Sequence, residues 1–275
     1  MNKRIIKILL ILIFSLGIIV FLYPIIAQSI NSKNQKQLII NYKKSINNET
    51  SIYENFINEA KMYNEKLSQL DFQYYDYKKL NNYNELLNIN GDGMMGYIKI
   101  QKINVELPIY HTAKSNILRK YVGHLEGSSL PIGGPSTHAA LAAHRGMASA
   151  KMFTDLNLLE IGDTFEIIIF DKVLTYQVDN ITVVKPTDLE NLKIENDKDY
   201  VTLITCTPYA VNTHRLLVRG TRIQEETLEK IVTNDAYKIN NSFVVFYLTI
   251  PVLIIILFYI FYEVKKINKI TLKQK

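Results

Sequence analysis

The sequence predicts a mainly β domain, a β-barrel with short helices, preceded by an amphipathic helix and flanked by two transmembrane helices. Ile8–Ala27 and Phe243–Tyr262 are uncharged apolar runs of 20 residues each, long enough for a helix to cross about 30 Å of hydrocarbon. Between them, five segments are rich in Ile, Val, Tyr and Thr, and several alternate with period two, as strands do. Irregular connections with Gly and Pro separate these segments, which favours a barrel over a doubly wound sheet.

The predicted strands are Gly96–Ile100, Phe165–Phe170, Leu174–Val184, Val201–Cys206 and Leu216–Ile223. Short helices are predicted for Ala139–Ala143 and Ala150–Leu159. From Tyr53 to Leu70, apolar residues three or four apart indicate an amphipathic helix, which we expect to pack on the domain that follows. Residues 71–84 are polar and rich in Tyr, and we interpret them as a loop or cover.

These elements divide the chain into six parts. We expect an N-terminal transmembrane anchor at 1–30, an extracytoplasmic helical segment and possible lid at 31–92, the barrel at 93–225, a linker at 226–241, a transmembrane helix at 242–264 and a basic tail at 265–275. A cleaved signal peptide is the competing interpretation of the first apolar run. Its apolar region usually has about 7–15 residues, so length favours an uncleaved anchor.

The net charge of +6 is concentrated at the two ends of the chain. Three basic residues and no acid precede the first run, and five Lys against Glu263 alone follow the second. Because Lys and Arg stay on the cytoplasmic side, both termini are predicted to be cytoplasmic, with roughly residues 30–240 outside the cell membrane. The charge therefore indicates the membrane as a partner, and nucleic-acid binding is the weaker interpretation.

The chain has one cysteine, Cys206, which cannot form an internal disulfide. It is therefore either a small buried hydrophobic residue or a reactive thiol. A β-branched run ends at Cys206, Pro208 stops the strand, the chain turns near Asn212, and a second strand begins at Arg215. Two strands joined by a short turn would bring Cys206 and Arg215 close together.

A reactive thiol needs a base, most often a His, because the thiolate is the nucleophile. An Arg can hold a substrate carbonyl or stabilise its oxyanion. His144 ends a small apolar run just before Arg145 and Gly146, but spacing favours it only weakly over the other four. Those four are His111, His124, His138 and His214. His138 and His144 lack the i, i+4 spacing of zinc ligands on one helix face, so we predict neither a metal nor a cofactor.

Thr202-Leu-Ile-Thr-Cys206, with Arg215 nine positions after the Cys, resembles the signature of the sortase family. The continuation to Gly220 and the upstream segments Gly96–His111 and Val122–Gly146 are similar to the pilus-assembling class C sortases, so the resemblance covers about residues 84–223. It implies an eight-stranded barrel and a cysteine transpeptidase with His144, Cys206 and Arg215 as catalytic residues. It also implies cleavage of an LPxTG-like sorting motif through a thioester on Cys206, followed by transfer to an amine.

The implied partners are pilin or surface-protein substrates that carry the motif, and an acceptor amine from a pilin Lys or from cell-wall precursor. Alternatives stay open: a sortase of another class that attaches proteins to the wall, a hydrolytic cysteine peptidase, or a non-enzymatic membrane-anchored binding domain. The sequence departs from the class C pattern at two places. Residues 71–84 hold no Asp-Pro-aromatic triplet, which often forms a lid in class C, and Ala210 replaces a common Gly.

Overall fold

A computed structural model describes residues 3–46 and 50–223. The linker, second transmembrane helix and basic tail predicted at 226–241, 242–264 and 265–275 lie outside the described residues. The chain up to Val20 belongs to one compact unit, and the chain from Phe21 through the last described residue belongs to a second.

Two helices precede the barrel. α1 runs from Lys3 to Ile46 and contains Pro24; its apolar beginning is exposed and is a candidate membrane span by length and composition. α2 runs from Thr50 to Ser68. Of the residues that the helical spacing singled out, Tyr53, Ala60, Tyr63 and Leu67 are buried, and Phe56 and Leu70 are partly buried against the core. The prediction of a packed amphipathic helix is confirmed.

The second half of α1 is tied to the barrel by side-chain hydrogen bonds. Asn31 Nδ2 donates to the carbonyl of Ser149 at 2.8 Å, and Gln35 Nε2 donates to that of Lys120 at 2.6 Å. Fully buried Tyr42 donates its hydroxyl to the carbonyl of Met95 at 2.9 Å. The helix therefore continues past residue 30, the boundary predicted for the anchor, and becomes part of the domain core.

Eight strands close into a barrel in the order β1-β2-β3-β4-β7-β8-β6-β5, which confirms the predicted fold. Their bounds are β1 Met94–Ile100, β2 Val105–Tyr110, β3 Val122–His124, β4 Thr137–Ala142, β5 Thr164–Ile169, β6 Lys172–Val184, β7 Asp199–Thr207 and β8 His214–Arg222. Neighbours are antiparallel except β2 with β3 and β4 with β7, which are parallel. Two short helices complete the described elements, α3 at Gln73–Asp76 and α4 at Ser115–Leu118.

Of the two helices predicted between the strands, one is a strand and the other is reduced to a 3₁₀ turn. Ala139–Ala143, predicted as a helix, lies in and just after strand β4. Alanine favours helices intrinsically, but β4 pairs with β3 and β7, and such tertiary pairing overrides a weak local preference. Ala150–Leu159 contains only the 3₁₀ turn Leu156–Leu158. The short strands β2 and β3 were not predicted.

Side chains alternate between the two faces of the barrel wall, so β4, β7 and β8 each contribute to two separate apolar clusters. Leu141, Leu203 and Val218 are buried in the main core. Residues of the opposite parity form a second cluster on the outer face, here named the outer apolar cluster: Ala140, Leu192, Ile204 and Leu217, with Tyr74, Leu125, Ala142, Val184 and Leu189 packed against them. This outer face of β4, β7 and β8 holds the candidate site.

Candidate active site

Cys206 is the second-last residue of β7 and lies on the outer face of the barrel. Its neighbour two residues earlier, Ile204, belongs to the outer apolar cluster, whereas Leu203 belongs to the main core. The thiol is half-buried. Cys206 therefore lies at a strand end beside an apolar surface, where its side chain can reach a substrate.

Arg215 lies directly across from Cys206 in the antiparallel pairing of β7 with β8. It shares the outer face with Leu217, while His214 has the opposite parity. The half-buried guanidinium donates from Nη1 to the carbonyl oxygens of Asn212 and His214, at 3.2 and 3.0 Å. Within the part of the chain that the structure describes, the other guanidinium nitrogens have no hydrogen-bond partner and could reach a substrate carbonyl.

His144 follows β4, whose pairing with β7 sets its position. The parallel register pairs Ala142 with Ile204. Just beyond, the Ala143 N–H donates to the Ile204 carbonyl at 3.1 Å, and Thr205 Oγ1 donates to the Ala143 carbonyl at 2.9 Å. If this register continued for two more residues, position 144 would lie level with position 206. Cys206 and Arg215 thus lie at the ends of two paired strands, and His144 follows the end of a third strand paired with β7.

The environment of His144 favours its neutral form. Partial burial lowers the pKa of His144, because it penalises the imidazolium, and the positive charge of Arg119 lowers it further. A neutral imidazole can accept a proton, as a general base must. Arg119 was not singled out from the sequence, since it lies 25 positions away and nothing in the local pattern relates it to His144.

Three of the other four histidines are held inside the domain by hydrogen bonds. Each is buried and engaged at both ring nitrogens. His111 contacts the carbonyls of Gly93 and Leu86, both at 2.9 Å; His124 contacts Tyr83 Oη and the Ser129 carbonyl, both at 2.8 Å; His138 contacts the Lys193 carbonyl at 2.8 Å and Thr202 Oγ1 at 2.7 Å. Within residues 3–46 and 50–223, no cluster of three or more His, Cys, Asp or Glu could hold a metal ion.

The segment predicted as a loop or cover lies on the outer apolar cluster. Tyr74 of α3 packs against that cluster and donates its hydroxyl to the Leu192 carbonyl at 2.9 Å. Leu192 lies in the connection between β6 and β7. In the same connection, the Ile194 N–H donates to Gln73 Oε1 at 3.3 Å. Gly127 leaves room for this approach, because a Cβ there would lie 2.9 Å from Tyr74 Cα. Tyr74 therefore covers part of the outer apolar cluster, which includes Ile204, two residues before Cys206.

Replacing Tyr74 with alanine is expected to speed alkylation of Cys206 by a small neutral thiol reagent severalfold. The truncation removes the ring that covers the outer apolar cluster. Ile204, a member of that cluster, lies two residues before Cys206. Tyr75→Ala is the matched control, because that ring is 78% exposed and covers little. Alkylation rates are followed by mass spectrometry; equal rates for the two variants would contradict a covering role for Tyr74.

Comparison with known proteins agrees with this architecture. The Sortase domain family model matches residues 98–223. Sortase C1 of Streptococcus agalactiae is 45% identical, with a TM-score of 0.63 over 68% of this chain and 98% of that one. Clostridium perfringens sortase C, solved with the C-terminal cell wall sorting motif, is 42% identical, with a TM-score of 0.59 over 68% and 98%.

Curated relatives match over a shorter range. Sortase D of Bacillus subtilis is 29% identical over 115 residues, which are 42% of this chain and 55% of that protein. The chain thus spans about half the length of the curated relatives it matches. The closed eight-stranded barrel matches the fold of these sortases. The chain belongs to the sortase family, and the solved structures compared with it, at 42–45% identity, are sortase C proteins.

Proposed function

We propose that this chain is a membrane-bound cysteine transpeptidase that cleaves an LPxTG-like sorting motif through a thioester on Cys206. The acyl group is then transferred to an amine, a pilin Lys, so that repeated turnover builds covalent pili. The observation that carries the proposal is that Cys206 and Arg215 lie at the ends of two paired strands and that His144 follows the end of a third strand paired with β7. The likeness to class C sortases supports the pilin as substrate and acceptor.

In the first half-reaction, neutral His144 takes the thiol proton, and Cys206 Sγ attacks the Thr carbonyl of the motif. The Thr–Gly bond breaks, the leaving Gly amine receives the proton from His144, and the thioester remains. Arg215 stabilises the oxyanion that forms during attack, because donors aimed at developing charge lower the barrier. To point both Nη atoms at the substrate, it must release the Asn212 and His214 carbonyls.

In the second half-reaction, the acceptor amine attacks the thioester carbonyl. His144 removes the proton from the incoming amine, the C–S bond breaks, and Cys206 regains its thiol. In each half-reaction the imidazole therefore first accepts a proton as a base and then donates it as an acid. The lowered pKa of His144 suits the role of base, since the neutral ring is the form that accepts a proton.

The proposal includes the topology predicted from the sequence: anchor at 1–30, helical segment and possible lid at 31–92, catalytic barrel at 93–225, linker at 226–241, second transmembrane helix at 242–264 and tail at 265–275. Both termini would be cytoplasmic and the barrel extracytoplasmic. The exposed apolar beginning of α1 supports the first anchor. The cover formed by Tyr74 supports a lid within 71–84, held by contacts with the outer apolar cluster and without an Asp-Pro-aromatic triplet.

The test uses the full chain in detergent with an LPxTG-like peptide and intact-mass spectrometry. A mass gain equal to the acyl fragment is expected on wild type and absent from Cys206→Ala. Loss of the adduct is then timed with a pilin Lys peptide, with a cell-wall stem peptide that carries its acceptor amine, and with water. Faster loss with the pilin peptide supports polymerisation, and faster loss with the stem peptide favours wall attachment. No acceleration by either amine indicates a peptidase, and no adduct with several motif variants contradicts transpeptidation.

A further inference from the structure

Arg145, the residue after His144, joins three segments of the chain through its guanidinium. Nε donates to the Thr154 carbonyl at 3.2 Å, Nη1 to Thr207 Oγ1 at 3.3 Å, and Nη2 to Asn157 Oδ1 at 2.7 Å. Thr207 directly follows Cys206, and Asn157 lies in the 3₁₀ turn Leu156–Leu158. All three acceptors are neutral. The side chain therefore acts through the fixed directions of its donors, which a guanidinium provides and an ammonium does not.

The main chain on both sides of His144 is also fastened. On the N-terminal side, Ala143 is held to β7 by the bonds with Ile204 and Thr205. On the C-terminal side, the His144 carbonyl accepts from the Phe153 N–H at 3.1 Å. The imidazole thus projects from a residue held at one end by β7. At the other end it is held by the loop that Arg145 connects back to β7.

The same guanidinium contacts the turn that orients Arg215. The Arg145 guanidinium carbon lies 5.8 Å from the centre of the Tyr209 ring, a distance at which a cation and an aromatic face attract each other. Tyr209 belongs to the β7–β8 turn, where the Asn212 carbonyl accepts from Arg215. Gly146 permits the contact, because a Cβ there would lie 3.0 Å from the Tyr209 ring. One side chain therefore touches the loop or turn beside each of the three proposed catalytic residues.

We propose that Arg145 is a positioning residue that sets the separation between the His144 imidazole and Cys206 Sγ. The inference rests on the proposed function. It adds to that function the residue that keeps the base and the nucleophile at the distance that proton transfer needs. Its contacts are to Thr154, Asn157 and Thr207 and to the Tyr209 ring, so it acts on the proton-transfer geometry through His144 and does not touch the substrate. Lys at this position retains the charge but cannot reach three acceptors in three directions.

The first measurement compares transpeptidation by the full chain as wild type and as Arg145→Lys. Because misplacing a catalytic group by about 1 Å costs about 100-fold in rate, we expect kcat to fall by about that factor, with KM for the sorting peptide unchanged. Arg222→Lys is the matched control. It also alters an Arg that donates to a backbone carbonyl, Val173 at 3.4 Å, and lies over a Tyr ring, Tyr176, at the far end of β8. The control is expected to keep the wild-type kcat.

The second measurement asks whether Arg145 acts through His144. In a His144→Ala background, Arg145→Lys is expected to cause no further loss of kcat, because residues that act as a unit are non-additive. Additive losses would overturn the inference, as would an Arg145→Lys variant with wild-type kcat or with a raised KM alone.

If Arg145→Lys does not fold, Asn157→Ala replaces it, since that change removes only the acceptor of Nη2. A wild type that forms no thioester contradicts the proposed function itself, whereas an active wild type with an unaffected variant contradicts only the role of Arg145.

Discussion

Cys206→Ala is expected to abolish thioester formation and transpeptidation, and His144→Ala to lower kcat/KM by about 10³-fold. Without Sγ there is no atom to carry the acyl group, so the first change removes the pathway. Without the imidazole the thiol proton has no acceptor and the leaving amine has no donor, so both half-reactions slow. Adduct mass and the rate of peptide release measure the two steps separately.

His214→Ala is the matched control for the loss of an imidazole. His214 lies next to Arg215 but on the opposite strand face, with a ring contact only to the neighbouring Thr213 among the described residues. It is expected to retain wild-type kcat/KM within the error of the assay. A His144→Ala variant as active as His214→Ala would show that another group performs the proton transfers.

Acidification to pH 4.5 is expected to destabilise the domain by about 5 kcal/mol, chiefly through His124 and His138. Burial lowers the pKa of each to about 4, against about 6.5 in the unfolded chain. Below pH 6.5 the unfolded state therefore binds protons at these two histidines that the folded state does not bind. Full stability is present above pH 6.5, and about 2–3 kcal/mol per His is lost as the pH falls towards 4.

Thermal unfolding followed by Tyr fluorescence measures this loss, and a fall in Tm of about 10–20 °C between pH 7.5 and 4.5 is expected. Buried Asp199 acts in the opposite direction, because burial raises its pKa, so a variant is needed to isolate the His contribution. His138→Gln is expected to be less stable at pH 7.5 but to lose about half as much stability on acidification. The same pH dependence in His138→Gln and wild type would contradict the assignment to His138.

Local patterns predicted the parts of the fold that depend on neighbouring residues. β5, β6, β7 and β8 alternate or are β-branched, and β7 and β8 are joined by a short turn, so their antiparallel pairing follows from the sequence. α2 was predicted because its buried residues recur at helical spacing. β4 was predicted wrongly, since its alanines favour a helix in isolation. Its strand conformation depends on β7, which is more than 55 residues further along the chain.

The candidate site likewise has parts that the sequence predicted and parts that it did not. Cys206 and Arg215 are close because one turn joins their strands, whereas the position of His144 depends on the parallel pairing of β4 with β7, which spacing alone does not reveal. The contributions of Tyr74 and Arg145 were not predicted either. Each acts through contacts with distant segments, Tyr74 through Leu192 and Arg145 through Asn157 and Thr207. From the sequence, only the resemblance to sortases singled out His144.

The parallel pairing of β4 with β7 has a consequence for the newly made chain. His144 is synthesised 62 residues before Cys206, and Arg215 comes 9 residues after it. Contacts between such distant segments form late in folding, because the entropy of closing the intervening loop opposes them. An emerging or partly folded chain therefore holds its thiol without the imidazole that would take its proton. On the proposed function, completion of the barrel is then also the step that gives the thiol its base.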